Sequence, residues 1–497
     1  MADPSADAPL DASRDPRVSR EQVLTRDLTT GQQAMMAIGG AIGTGLFLGS
    51  GLAVNIAGPG VVLSYVIGSF ISLLLGAALT EMCVAHPTAG SFGVHAEMYV
   101  SPFAGYAVRV SYWLMQIVAM GGHMVAVSIY MRYWFPGVPG AAWIVAFSAA
   151  LVWVNSRAIA TLGRFEYWFA MIKVAAIVVF VVSGIALLAG WLGTPAAADP
   201  AHTPSGILPR GLSGVLLAVP FVIYSFIGVE IVGVTSGEAR DPARTIPAAF
   251  FRLVIGLSLI YIVTTALLVR LVPWQELGVG ESPFVRVLSQ IRWPFSSGIG
   301  ELILGGVRWT PSVAGVVASL MNVVVLSAAL SSANASLYLI ARTLFSLGRG
   351  GYVPAWLGAV SSTGAPVRAL LVSSAGLCAA VVVRTLWPDS AYGWFLGVAL
   401  FGALFVWLMI FVTHLAFRRH HDAHPDPPLP RRVPFARAAS TIGALSILAV
   451  LLSTWWVPDL RITLVAGVPW MALLAAGYAY SRRARLGVGS HQVRHNR

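Results

Sequence analysis

The chain has 497 residues, 57 % of them hydrophobic and only 10 % charged, with a mean hydropathy of +0.77 and a formal net charge of +12. Soluble domains carry roughly 25 % charged residues, and membrane barrels show short alternating segments instead of long apolar runs, so both are excluded. What remains is an all-α polytopic membrane protein, whose apolar stretches of about 20 residues recur from end to end.

In chain order, residues 1–30 form a polar tail of mixed acids and arginines. They lack the charged start, short apolar run and small-residue cleavage site of a signal peptide, so the first span is expected to direct insertion. Twelve spans are predicted, over 33–57, 60–85, 103–134, 141–157, 165–191, 212–237, 248–272, 311–342, 367–386, 391–416, 438–456 and 461–481. The first ten make a core over 31–417, in two halves over 33–191 and 212–416. A basic loop, 418–437, rich in Pro, His and Arg, reads as a solvated connector. Two additional spans follow within 438–481, and then a basic tail, 482–497. No soluble domain is appended.

The arginines set the orientation. "SRAIATLGR" (156–164), "ARDPART" (239–245), the 418–437 loop and the tail are basic and all follow even-numbered spans, whereas "AGPG" (57–60) and "FPGVPG" (135–140) carry no charge. The positive-inside rule then puts both termini in the cytoplasm of an inner-membrane protein. The basic balance is a topology signal, not a nucleic-acid footprint. Segment 273–310 fits poorly, with Arg286, Arg292 and Arg308 on the outer side, and "ELILGG" within it reads as a short surface helix. Cys83 and Cys378 give neither a disulfide framework nor a metal spacing, and no metal or cofactor is expected.

The first span carries a conflict. "MAIGGAIGTGLFLGSG", Met36 to Gly51, is apolar enough to cross a membrane and holds six glycines, the poorest helix formers after proline. Gly43-Thr44-Gly45 suits a mid-membrane break, where freed amides and carbonyls become ligand groups. Close packing through Gly39 and Gly43 explains the glycines equally well. The sixth span tips the balance: it is interrupted by Pro220, Gly228 and Gly233 and carries Glu230. Two interrupted spans at matching places in two halves of five point to an inverted-repeat transporter with its site at mid-depth.

Of 32 basic residues only Lys173, in the fifth span, is a lysine. It lies nine residues beyond Arg164, ~13 Å deep at ~1.5 Å per residue, near the midplane of a ~30 Å core. Burial can bring a lysine into a useful titration range while arginine stays charged, so Lys173 is the candidate proton-coupling residue; the alternative is a static lysine tied to backbone carbonyls. For Glu230 three roles are open: binding a substrate ammonium, taking up the coupled proton, or pairing with a base. Glu238 reads as a gate or helix-end residue. His123 in the third span either titrates or packs, and Gln116 and Met120 beside it are pocket candidates. In the eighth span, Asn322, Ser331, Ser332 and Asn334 either line a polar path or bond neighbouring helices.

These residues resemble the amino acid permeases of the amino acid–polyamine–organocation (APC) superfamily, in particular the family that includes arginine/ornithine, aromatic and GABA permeases. The resemblance covers about 25–480. It rests on "MAIGGAIGTGLFLGSG", "PTAGSFGVHAEMYVSPFAGYAV", "FEYWFAMIKV", "SFIGVEIVGVTSGEARDPARTIP" and "LSSANASLY". It implies a LeuT-like 5+5 inverted repeat with discontinuous spans 1 and 6, plus two extra C-terminal spans. It also implies proton-coupled uptake, the proton being the coupling ion. Amides around Gly43, Thr44 and Gly45 would hold the α-carboxylate. Carbonyls near Ala41 and Ile42, and from Tyr224 through Ser225 to Ile227, would hold the α-ammonium, with Phe226 as aromatic lid. Lys173 matches a lysine that stands where sodium-coupled relatives keep a cation, which argues against sodium dependence. In two places the chain departs: His123 stands where many relatives are acidic, and Arg164 where relatives often carry a glutamate.

The expected function is import of an L-amino acid by proton symport, with no enzymatic activity. The side chain would be selected by a pocket from spans 3, 6, 8 and 10. Rival readings are an exchanger of the same fold, a transporter-derived amino acid receptor, and a polytopic enzyme; for the enzyme the needed carboxylate cluster or large soluble loop is missing.

Overall fold

The computed structural model describes residues 41–88, 90–157, 162–192, 206–234, 236, 241–278, 280–290, 302–304, 307–309, 312–349, 352–359, 367–424 and 429–495. The expectations placed on Gly39, Gly40, Glu238, Arg292 and the 1–30 tail, and on the Arg164 side chain, lie outside these residues. Among them, ten helical stretches are long and apolar enough to cross a membrane, and Gly140–Asn155 is a shorter apolar helix.

A π-helical turn, Gly45–Gly49, leads into α1 (Ser50–Ala57) and then, through Gly58-Pro59-Gly60, α2 (Val61–Ala85). Gly58 sits at φ +59°, a backbone state that a side chain resists, and this separates the two helices. A short α3 (Ser91–Tyr99) precedes α4 (Pro102–Arg132). The start of α4 is set by its sequence: Ser101 Oγ accepts from the Ala104 N–H at 3.1 Å, and Pro102 fills the first turn. Then come α5 (Gly140–Arg157), α6 (Leu162–Leu188), α7 (Gly211–Phe226), the one-turn α8 (Ile231–Val234) and α9 (Pro242–Leu271). After α10 (Pro283–Ser289) stand strands β1 (Leu302–Leu304) and β2 (Val307–Trp309). The chain ends with α11 (Val313–Arg349), α12 (Val367–Ser373), α13 (Ala375–Leu386), α14 (Ala391–Ala423), α15 (Ala436–Ser453) and α16 (Arg461–His495).

The core is built around α4, which packs on both α11 and α14, while α1 lies along α7 and α2 against α7 and α9. Burial follows that arrangement: the apolar window of Pro102–Arg132 is 89 % buried and that of Pro458–Tyr480 only 17 %, so the last helix is peripheral.

Four features differ from the sequence expectation. "ELILGG" is not a helix: Leu302, Ile303 and Leu304 pair antiparallel with Trp309, Arg308 and Val307. The Gly-Gly between them is a hairpin signal. The seventh span starts at Pro242, six residues earlier than predicted, because proline is favoured in a first turn. The tenth runs on to Ala423, into the loop read as solvated, since Arg418 is buried there against Glu81. The final helix continues to His495, through the stretch read as a tail.

Candidate functional site

Two breaks in the helical backbone face each other. In the first, helical backbone at Ala41 gives way to a bend at Ile42 and Gly43, and Thr44 then begins the wider π turn. In the second, α7 ends at Phe226, Ile227 takes ψ 133°, Gly228 takes φ +108°, and α8 starts at Ile231. A Cβ on Gly45 would lie 2.9 Å from the Ser225 Cα, so only glycine lets the two backbones come this close.

The breaks release carbonyls that the protein then satisfies from neighbouring spans. In a continuous helix the Ser225 carbonyl would accept from the Val229 N–H, but that N–H turns to Phe226 at 3.2 Å. The Tyr261 hydroxyl on α9 lies 2.9 Å from the Ser225 carbonyl and 3.1 Å from the Ala41 carbonyl, so one proton serves both breaks. The Tyr392 hydroxyl on α14 donates to the Thr44 carbonyl at 3.1 Å. Tyr65 on α2 completes the support: its hydroxyl is 3.4 Å from Ser225 Oγ, and its ring meets that of Tyr261 edge-on.

Beside the breaks lies a cavity of about 40 Å³, room for a water or two, whereas ligand cavities usually reach ~300 Å³ or more. Span 1 contributes Ala41, Gly43, Thr44 and Gly45; α4 contributes Gln116, Ala119 and His123; Tyr224, Ile227, Gly228 and Ile231 come from the second break. The remaining wall is Ser332, Ala335, Ser336 and Leu339 of α11. Among these lining residues there is no Asp, Glu, Lys or Arg. His123 Nδ1 is 2.9 Å from Thr44 Oγ1. Gln116 donates to the Tyr112 hydroxyl at 3.1 Å and accepts from Ser336 Oγ at 3.1 Å. Ser332 Oγ is buried with no hydrogen-bond partner.

The sequence-derived candidates divide. Ala41, Gly43, Thr44, Gly45, Tyr224, Ile227, Gln116, His123 and Ser332 come together at this cavity; Ile42 and Ser225 are buried in the breaks behind it. Phe226 does not line it: its ring packs on Tyr261, 5.1 Å between centroids, and Tyr224 is the aromatic residue of this segment at the cavity wall. Met120 and Ser331 are buried outside the lining. Glu230 turns back on its own break. Its Oε2 accepts from the Gly228 N–H at 3.0 Å and from Trp407 Nε1–H at 3.4 Å, while Oε1 is buried without a hydrogen-bond partner. Lys173 is fully buried and near enough to His123 for the two to interact electrostatically. Asn322 donates to the Tyr130 carbonyl at 2.9 Å and Asn334 accepts from Asn155 at 2.7 Å, so in α11 the asparagines bond neighbouring helices and Ser332 faces the cavity.

Sequence reasoning missed Tyr261, Tyr392, Trp407, Ala119, Ile231, Ala335, Ser336 and Leu339. Helical spacing would have found four of them. Ala335, Ser336 and Leu339 stand three, four and seven residues after Ser332, and Ala119 stands between Gln116 and His123 on the same face. Span 10 reaches the site through Tyr392 and Trp407 without contributing to the cavity lining.

A second buried polar cluster stands away from the cavity. Glu81 on α2 meets His414 Nε2 at 3.0 Å and Arg418 Nη2 at 2.7 Å. His414 Nδ1 is 2.7 Å from Ser440 Oγ, and Arg418 donates to the Val433 carbonyl at 2.9 Å. Trp407, His414 and His421 recur every seven residues along α14, so one helix face runs from the second break to this cluster.

The family model for amino acid permeases matches residues 32–487. An uncharacterized amino acid permease of Bacillus subtilis, YtnA, is 31 % identical over 462 residues, 92 % of this chain and 95 % of its own. The aromatic amino acid transport protein AroP of Escherichia coli strain CFT073 is 33 % identical over 473 residues, 94 % and 98 % of the two chains. AroP of Salmonella typhimurium is 32 % identical over 471 residues, with the same coverage.

Proposed function

Because the chain belongs to the amino acid permease family, a family of transporters and not of enzymes, we propose that it imports a neutral L-amino acid with an apolar or aromatic side chain, together with a proton. The observation that carries this reading is the meeting of two broken helices at a cavity whose described lining has no carboxylate, ammonium or guanidinium. Amides at Thr44 and Gly45 offer N–H groups and a helix-start dipole to the α-carboxylate; the neighbouring Gly43 N–H donates to the Ala41 carbonyl at 3.1 Å in this conformation and would have to turn to join them. Carbonyls at the second break offer acceptors to the α-ammonium. Small and apolar residues, Ala119, Ala335, Ile231 and Leu339, leave an uncharged compartment for the side chain, with Gln116 and Ser336 to meet a polar tip. The names of the AroP relatives support the aromatic class.

The architecture that goes with this reading is a LeuT-like fold of twelve spans in the cytoplasmic membrane, both termini inside. Gly45–Ala85 is 41 residues long, twice the roughly 20 needed to cross once; divided at Gly58 it gives spans one and two, and Gly140–Asn155 supplies the fourth. Rocking of one helix bundle against the other alternates access and enlarges the cavity. Lys173 and Glu230 are the coupling groups of the reading. A buried ammonium at mid-depth is expensive; Lys173 is buried close enough to the cavity-lining His123 to interact with it electrostatically, and Glu230 lies in the second break.

Two measurements test it. In a thermal-shift screen of the purified protein, phenylalanine, tyrosine, tryptophan or leucine should raise the melting temperature, and arginine or glutamate should not. In proteoliposomes, an inward proton gradient should drive accumulation of the binder. Uptake that ignores the gradient and needs internal amino acid would identify an exchanger; binding without accumulation would identify a receptor. Lys173→Ala should bind and fail to concentrate substrate, and wild-type accumulation by that variant removes Lys173 from the coupling.

A further inference from the structure

At the end of the bundle that carries the basic loop, a groove of about 700 Å³ runs along the outer face of α9, with Arg244, Arg252 and Arg431 at its polar end. Along α9 the positions 244, 248, 252, 255 and 259 fall on one stripe, since steps of four, four, three and four residues keep to one helical face. That stripe reads Arg, Ala, Arg, Ile, Leu. It passes from guanidinium to hydrocarbon, and its apolar part, Ile255 and Leu259, is 49 % and 60 % exposed.

Arg109, Arg418 and Arg437 each meet a carboxylate. Arg244, Arg252 and Arg431 have no carboxylate partner among the described residues, none of the groove's lining is acidic, and Arg431 Nε is buried with no hydrogen-bond partner. Arg431 comes from the loop between α14 and α15, held in place where Arg418 donates to the Val433 carbonyl. Four residues further on, Phe435 is 88 % exposed, an apolar ring on a basic segment, which suits a loop lying on a lipid surface.

We propose that this groove is a binding site for an anionic phospholipid. Its phosphate is held by Arg244, Arg252 and Arg431, and one acyl chain lies along Ile255 and Leu259. Guanidinium groups bind phosphate oxygens in fork geometry, and basic pockets at the cytoplasmic end of spans attract anionic headgroups. The lipid would bridge α9 to the α14–α15 loop. The inference stands apart from the identity of the transported amino acid.

The test uses the full chain, purified and delipidated in detergent. Native mass spectrometry and thermal shift are read with added phosphatidylglycerol, with phosphatidylcholine and with inorganic phosphate. The wild type should retain phosphatidylglycerol and melt higher with it, and respond to neither of the others. R244Q/R252Q/R431Q should lose retention about tenfold or more, and R270Q, at the far end of the same helix, should not. Equal retention by the triple variant and the wild type overturns the site. So does an equal response to phosphatidylcholine, and a shift reproduced by inorganic phosphate shows a bare anion pocket instead. If the triple variant does not fold, R431Q alone decides, since it lies on the loop: it should weaken retention, and unchanged retention overturns the proposal.

Discussion

One hydroxyl, on Tyr261, stands between two carbonyls freed by two different helix breaks. Tyr261→Phe strips the Ser225 carbonyl of its partner and leaves the Ala41 carbonyl only the Gly43 N–H at 3.1 Å, and an unsatisfied buried polar group costs about 1–3 kcal/mol. The variant should melt several degrees lower and bind amino acid more weakly, because the spacing between the two half-sites is no longer fixed. Tyr65→Phe removes only a 3.4 Å contact to a side chain and should lose much less; thermal shift with and without substrate compares the two. Neither residue was legible beforehand. Tyrosine clusters at span ends read as interface anchors, and nothing in local spacing says that a tyrosine inside a span, such as Tyr261, will meet residues 36 and 220 positions away. Gly43, Thr44, Gly45 and Gly228 were legible because a break has to be written in the residues that form it. Phe226 and Tyr224 show the limit: two positions apart in one segment, they could not be assigned to the cavity and the packing side without coordinates.

At the scale of the element, α14 joins the second break to the buried Glu81 cluster through Trp407 and His414. Removing one partner of a buried ion pair strands the other, at about 3–5 kcal/mol, whereas an exposed pair is worth about 0–1 kcal/mol. Arg418→Ala should therefore lower the melting temperature strongly. Arg437→Ala, whose bond to Asp422 is largely exposed, should change it little; scanning calorimetry in one detergent compares them. The spans themselves could be read from hydropathy, because lipid forces the backbone into long apolar helices. The 302–309 hairpin could not, since three-residue strands are too short for a period, and the extension of α14 to Ala423 depends on a carboxylate 337 residues earlier, at Glu81.

For the molecule as a whole, the pH response of stability can be argued from His95, on the short α3 outside the spans. Burial holds its imidazole down at about 4, although its Nε2–H donates to the His86 carbonyl. Above the ordinary value near 6.5 both folded and unfolded chains are neutral here and the group has no effect. As pH falls from about 6.5 to about 4, the unfolded chain takes up a proton that the folded one refuses, so stability is lost across that window, by on the order of 3 kcal/mol. His95→Gln should flatten this acid limb in melting curves measured between those values, and an unchanged limb would show that other groups carry it. The cavity has a consequence of its own. A chamber of about 40 Å³ admits nothing larger than water in this conformation, so under the transport mechanism proposed above a cargo enters only once the bundle has widened. Its rate of capture therefore levels off as the outside concentration rises, at the frequency with which the walls part.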